Sequence, residues 1–281
     1  MKKLIISICA LIAAASISFA QDINEATDLY NAAAEYLDLG DKVSALDNFK
    51  KAYDIAKECG EVGEDLISKC ESLIPRLSLM VAKDFVKAGN YEGAVAQALE
   101  AVETAKAMND EDVALEAEAL VPQIWMQKGN TCIKAKDWEG AVAAYKNNLA
   151  INPTNGKAMV NMAAAYEKLG MEAEAEAAYV EAAANGQEKA ANKALGNIYL
   201  KKANAANKAK KYDEVVKLAQ KSISYNESDK AYYLAGLASQ ASNKIDDAIT
   251  YFEKYLELAP SAANSQDVRA VVEGLKKAQN K

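Results

Sequence analysis

Small residues recur along the chain in pairs twelve positions apart. Ala33, Ala82, Gly129, Ala163, Ala203 and Gly236 are followed at that distance by Ala45, Ala94, Ala141, Ala175, Val215 and Ala248. An aromatic residue often stands three positions after the first member, at Tyr36, Phe85 and Tyr166. Another tends to fall four positions after the second, at Phe49, Tyr145, Tyr179 and Phe252. Between the two members lies a short polar turn such as Leu39-Gly40-Asp41 or Ala88-Gly89-Asn90. The pattern predicts antiparallel helical hairpins, because small residues let two helices approach closely and aromatics fill the space beside the crossing. Near the C-terminus Val268, Val271, Val272 and Leu275 share one side of a helix whose other sides are charged. That stretch is expected to cap the array, since terminal repeats need a polar outer face.

Part of this regularity is a direct duplication. Residues 63–98 align with 110–145 without gaps: Glu64-Asp65 matches Glu111-Asp112, and Leu73 and Pro75 match Leu120 and Pro122. Glu92-Gly93-Ala94-Val95-Ala96 matches Glu139-Gly140-Ala141-Val142-Ala143. A proline at such a place either starts a helix or, inside one, kinks it. The first members of the pairs are 49, 47, 34, 40 and 33 residues apart. The long intervals place extra residues before the second, third and fifth units, as lengthened helices or added turns.

These residues resemble the tetratricopeptide repeat. The third unit carries Trp125, Gly129, Trp138, Ala141, Tyr145 and Pro153 on the family's positions. The fourth carries Ala163, Tyr166, Gly170, Ala175, Tyr179 and Ala182, and the sixth Gly236, Ala248, Phe252 and Pro260. The resemblance implies an all-α fold, an α-solenoid (right-handed superhelix) of six helix-turn-helix units plus a C-terminal capping helix. The expected organisation is a signal peptide over 1–20 and a solenoid over 21–262. Its units lie near 26–59, 63–109, 110–155, 156–189, 190–228 and 229–262, and the cap covers 263–281. The fifth unit is degenerate, with Ala206, Val215 and Ala219 on its positions. No Ser/Pro/Gly-rich linker divides the solenoid, so it reads as one domain.

Composition agrees. Of 281 residues 57 are alanine, the strongest helix former, against 4 prolines and 13 glycines. The chain has no histidine, which removes the usual general base near neutral pH and every His-dependent triad or zinc site. Lys2 and Lys3 precede an uncharged apolar run from Leu4 to Ala20 that ends Ser18-Phe19-Ala20, the pattern of a secretory signal cleaved before Gln21. An uncleaved anchor is the alternative, though 17 residues is at the short limit for a span. Cys9 lies too early for lipidation and follows Ile8. The net charge of −7 argues against nucleic acid as a partner. After cleavage Cys59, Cys70 and Cys132 remain. Cys132 is expected in the core, and a Cys59–Cys70 bridge is left open.

The candidate site residues lie on the first helix of each unit, which the resemblance places on the concave surface of the solenoid. They are Lys83 and Lys87, Met126 and Asn130, Val160 and Asn161, Lys201 and Asn204, and Tyr233 and Leu237. Some tetratricopeptide proteins clamp a partner's C-terminal carboxylate with lysines and asparagines on consecutive first helices. Asn130, Asn161 and Lys201 fall on three such positions, but Met126 stands where the clamp needs lysine. Lys87, Lys134, Lys168 and Lys208 recur late in the first helices, as a ladder for an acidic partner or as cations complementing helix dipoles. Lys201, Lys202, Lys208, Lys210 and Lys211 form a second basic group, diluted by Asp213 and Glu214. Of Tyr232, Tyr233, Tyr251 and Tyr255, half are expected in the core, leaving Tyr233 or Tyr255 to anchor a partner. The acidic runs Glu111-Asp112 and Glu172, Glu174 and Glu176 read as helix N-terminal charge and solvated surface.

The expectation is therefore a non-enzymatic protein-interaction scaffold of the cell envelope. It would be exported to the periplasm or associated with the outer membrane, with no cofactor, no metal and no transmembrane segment after cleavage. Its partner would be a protein or peptide. The alternative is a structural envelope protein that self-associates, or binds peptidoglycan or polysaccharide through the lysine-rich face.

Overall fold

Close helix packing at the paired small residues organises the chain. In the computed structural model, which describes residues 22–279, all twelve are buried, and ten have no exposed surface. The signal segment expected over 1–20, and Cys9 within it, lie outside the described residues. Among these there are only helices and turns: α1 (22–38), α2 (Lys42–Glu58), α3 (Glu64–Lys87), α4 (Tyr91–Ala107), α5 (Glu111–Ala135), α6 (Trp138–Ile151), α7 (Gly156–Leu169), α8 (Glu172–Ala182), α9 (Glu188–Lys208), α10 (Tyr212–Tyr225), α11 (Asp229–Ala241), α12 (Ile245–Leu258) and α13 (Ser265–Gln279). The fold is the expected all-α solenoid of helical hairpins. Packing runs mainly between helices adjacent in sequence, with α9 also reaching α11, as stacked hairpins require.

One turn closes every hairpin. Gly40, Gly89, Lys136, Gly170, Lys210 and Asn243 each follow a first helix in the left-handed conformation, with φ between 58° and 81°. The next residue's N–H then reaches back five residues: Asp41 to the Tyr36 carbonyl at 2.8 Å, Met171 to Tyr166 at 3.0 Å, Lys244 to Ser239 at 2.8 Å. This is the Schellman closure, which satisfies carbonyls the helix end leaves open. The second helix starts at once, and in three hairpins a side chain caps it: Asp41 accepts from the Ser44 N–H, Asn90 from Gly93 and Asp137 from Gly140.

Packing divides the chain within α5 into two units, Met1–Thr131 and Cys132–Lys281. The division falls inside a continuous helix, where no linker composition could mark it. In the first unit the extra residues of the long intervals lengthen the first helices. α3 has 24 residues and α5 has 25, against 14 in α7 and 13 in α11. Their added N-terminal turns pack on the preceding second helices: Leu66, Cys70 and Ile74 join Phe49, Ala52 and Ala56, while Val113, Ala114 and Ala117 join Ala101 and Ala105. Pro75 and Pro122 both stand inside these long helices rather than at their starts. Burial pushes the Cys70 thiol up to about 11, and the Cys59 thiol is raised for the same reason.

In the second unit α7 to α12 form three hairpins and α13 covers the last. Val268 and Val272 of α13 are buried against Ile249, Phe252 and Tyr255, and its opposite side is polar, as expected of a cap. The aromatics four positions after the second crossing residue are core throughout: Phe49, Tyr145, Tyr179 and Phe252 are at most 4% exposed. Those on the first helices vary, from buried Tyr166 to Tyr36 at 38% exposure. Cys132 occupies the same slot and is half-buried, not in the core as expected. That slot is one turn removed from the crossing, so its burial depends on what adjacent helices supply there.

The crossing is tight enough to test with one methyl group. A Cβ on Gly236 would stand 2.6 Å from the Phe252 ring, whereas one on Gly274 in α13 would meet nothing within 4 Å. Gly236→Ala should lower stability by about 1–3 kcal/mol despite its better helix propensity. Gly274→Ala should raise stability by about 0.5–1 kcal/mol, both read from urea denaturation followed by circular dichroism.

Candidate partner-binding surface

A first helix has one side committed to its hairpin and another left over. The residue immediately after each first crossing position makes this plain. Ala34, Lys83, Asn130, Ala164, Asn204 and Leu237 occupy that slot, and none is buried, although the crossing residue beside each one is. The helical turn of 100° per residue carries the side chain from the packed interior to the open side. The chemistry of the slot differs from hairpin to hairpin: methyl, ammonium, amide and isobutyl.

In the first unit, Lys83 is half-buried and pairs with Glu116 of α5 at 2.6 Å, while exposed Lys87 pairs with Asp84 at 2.8 Å. Lys42 also contacts Asp84, and Lys42 first and then Lys87 hold its carboxyl below the usual range. Met126 and Asn130 are half-buried on α5, one turn apart. Between them Lys128 lies 5.3 Å over the Trp125 ring and pairs with Glu92.

In the second unit Val160 and Asn161 are half-buried on α7, and the Asn161 side chain hydrogen-bonds the Tyr145 hydroxyl. Lys201 is 78% exposed and pairs with Glu172 at 3.1 Å. Asn204 is exposed, its amide donating to the Leu200 carbonyl of its own helix at 2.9 Å. α9 touches α11, which carries Tyr233 and Leu237. Tyr233 is half-buried, its ring 5.1 Å from that of Tyr255 and 6.1 Å from Phe252, whereas Leu237 remains 37% exposed one turn further on. Tyr255, offered above as an anchor, is buried at 4% exposure because it closes the core under α13.

A carboxylate clamp finds its groups already engaged. A ligand carboxylate at Lys201 would have to displace Glu172, and Asn161 is held by Tyr145. The lysine ladder matches the dipole reading: Lys87, Lys134, Lys168 and Lys208 each lie in the last turn of their helix. The second basic group is also partly neutralised, with Lys202 paired to Glu176 at 3.0 Å and Lys211 to Glu214 at 3.4 Å.

Glu176 is the residue the sequence reading misplaced. It is not solvated surface but a hub between α8, α9 and α10. It accepts the Tyr199 hydroxyl and pairs with Lys202 at 3.0 Å and Lys221 at 3.6 Å. Lys221 and Lys202 lie 4.3 Å and 5.2 Å from the Tyr199 ring centre, and Tyr199 stacks on Tyr225 at 5.7 Å. With its side chain 25% exposed, Glu176 is sheltered enough for these contacts to matter. Glu176→Gln should cost about 1–2 kcal/mol, read as a lower urea midpoint, and a midpoint within error of wild type would show the hub to be energetically idle.

The described residues hold no group of acidic or cysteine side chains placed to bind a metal, and no helix among them is long and apolar enough to cross a membrane. A sequence profile of the tetratricopeptide repeat matches residues 229–261, the α11–α12 hairpin. Comparison with curated proteins finds no match. Among solved structures, the chain is similar to MamA 41-end from Desulfovibrio magneticus RS-1, at 16% identity over 57% of this chain and 97% of that one, TM-score 0.37. It is also similar to PilW, described as a widely conserved type IV pilus biogenesis factor, at 17% identity over 70% and 98%, TM-score 0.35. A third is YrrB, described as a protein of this repeat class with an unusual peptide-binding site, at 15% identity over 69% and 91%, TM-score 0.37. Similarities this distant carry no inference about ligand.

Proposed function

We propose that this chain, whose α11–α12 hairpin matches the tetratricopeptide repeat profile, is a non-enzymatic protein-interaction scaffold of the cell envelope. It binds a protein or peptide partner through the open side of its first helices. One observation carries this reading: in all six hairpins the crossing slot is buried and small, while the next slot is never buried and is chemically varied. A purely structural repeat would need the first slot only. The second is where a sequence can encode recognition without disturbing the packing beside it.

Leu237 is the strongest anchor on that side, an apolar residue left accessible next to half-buried Tyr233. Lys83 and Asn204 supply polar chemistry on other first helices. Export rests on the basic, apolar and small-x-small pattern of residues 1–20, which supports a periplasmic or outer-membrane-associated location.

A photo-activatable residue placed at Lys83 or Leu237 in intact cells should crosslink to the same second protein, and one at exposed Leu99 on α4, a second helix, should not. Leu237→Asp should reduce capture about tenfold without changing the thermal midpoint. The protein recovered from the periplasmic fraction should begin at Gln21 by mass spectrometry. Capture of nothing but the chain itself, or retention on peptidoglycan that vanishes at high salt, would replace the scaffold with the structural reading.

A further inference from the structure

Four of the six hairpin turns carry a small residue before the left-handed position and an acidic one three after it; the first and the fourth depart, and the first is the more exposed. In the position before the left-handed residue, the others carry Ala88, Ala135, Leu169, Ala209 and Ser242; the first carries Leu39, at 80% exposure. Three positions after the left-handed residue, the second, third, fifth and sixth carry Glu92, Glu139, Asp213 and Asp246, and the fourth carries Ala173; the first carries Val43, at 52% exposure. Tyr36, one turn back, adds a third apolar side chain at 38% exposure. The α1–α2 tip is therefore an apolar knob, and exposed Glu35, Asp38 and Asp41 surround it. It sits on the acidic part of the molecule. Residues 22–38 carry five acidic and no basic side chains, and residues 22–131 carry 22 acidic and 10 basic.

The opposite arrangement occurs at the fifth hairpin. Ala205, Ala206, Ala209 and Leu218 floor a groove of about 370 Å³ between α9 and α10, flanked by Lys202 and Lys211. Glu214 lies on the same rim, held by Lys211 at 3.4 Å. The surrounding segment is the basic part of the molecule, with nine lysines against three acidic residues over 188–225. Exposed Lys208 and Lys210 extend this charge beyond the groove.

We propose that the knob of one copy seats in the fifth-hairpin groove of a second copy, so that the chain associates head to tail. Charge complementarity selects this occupant: an acidic rim around apolar residues meets an apolar floor in a segment of net positive charge, where exposed Lys208 and Lys210, rather than the paired Lys202 and Lys211, supply the attraction. The two surfaces differ, so the contact is heterologous and leaves a knob and a groove unsatisfied at the ends of any open assembly. With three apolar side chains at its centre the contact is at the small end of interface sizes, and it forms at high concentration and low salt. It uses neither Lys83 nor Leu237, so it stands or falls separately from partner capture at those positions.

Sedimentation velocity of the mature chain, residues 21–281, tests this. The weight-average mass of wild type should rise past that of a dimer with concentration at low salt, and fall toward the monomer as salt is added. Leu39→Ala/Val43→Glu, which restores residues of the kind sibling hairpins carry, should stay monomeric. So should Ala205→Glu/Ala209→Glu, which fills the groove at two exposed positions. Mixed together, these two variants should form a 1:1 dimer and nothing larger, since each keeps one working half. Circular dichroism melts matching wild type would show that both fold. A wild type that remains monomeric at every concentration, a knob variant that associates like wild type, or a mixture that stays monomeric would each overturn the proposal.

Discussion

The structure depends on how closely two antiparallel helices can approach. At each hairpin a small residue on the first helix and its counterpart twelve positions later are both buried. Aromatics on the second helices, such as Phe49 and Phe252, fill the space that this approach leaves. Dispersion over many such contacts, rather than any single bond, holds a hairpin together. The turn geometry follows from the same constraint. A connection short enough to keep the helices in register reverses the chain through one left-handed residue, and the Schellman bonds then satisfy the helix end.

The same constraint shapes the surface. A helix that buries one slot for the crossing turns the next toward solvent; of the six such slots three are exposed and three half-buried. Side chains there can change without changing the packing, which suits a scaffold. The charge distribution adds a second layer. Acidic residues gather on the first unit and lysines on the α9–α10 hairpin, so different parts of one molecule favour partners of opposite sign.

What could be read from the sequence was the periodic part. Ala33 and Ala45, or Gly236 and Ala248, announce their burial by spacing alone. The extra residues of the long intervals also show as lengths, and the structure resolves them into longer first helices, α3 and α5 among them. Contacts between distant residues were not readable. Glu176 looks like its neighbours Glu172 and Glu174, and only the packing of α8 on α9 brings it to Tyr199, Lys202 and Lys221. Tyr255 and Tyr251 stand four apart and share a helix face, so periodicity could not say that α13 buries the first and leaves the second half-open. Lys136 and Lys210 hold the left-handed position that glycine fills elsewhere, so composition gave no sign of those turns.

Adjacent slots divide packing from recognition, and one paired scan separates the two roles. Each crossing residue and the residue after it would be replaced in turn by glutamine, with thermal stability and in-cell partner capture measured on every variant. Two separate sets of variants are expected. Changes at the crossing slots, such as Ala163 or Gly236, lower stability, and changes at the open slots, such as Lys83 or Leu237, lower capture while stability stays put. If capture were lost only in variants that also lose stability, the open side of the first helices would not be the binding surface.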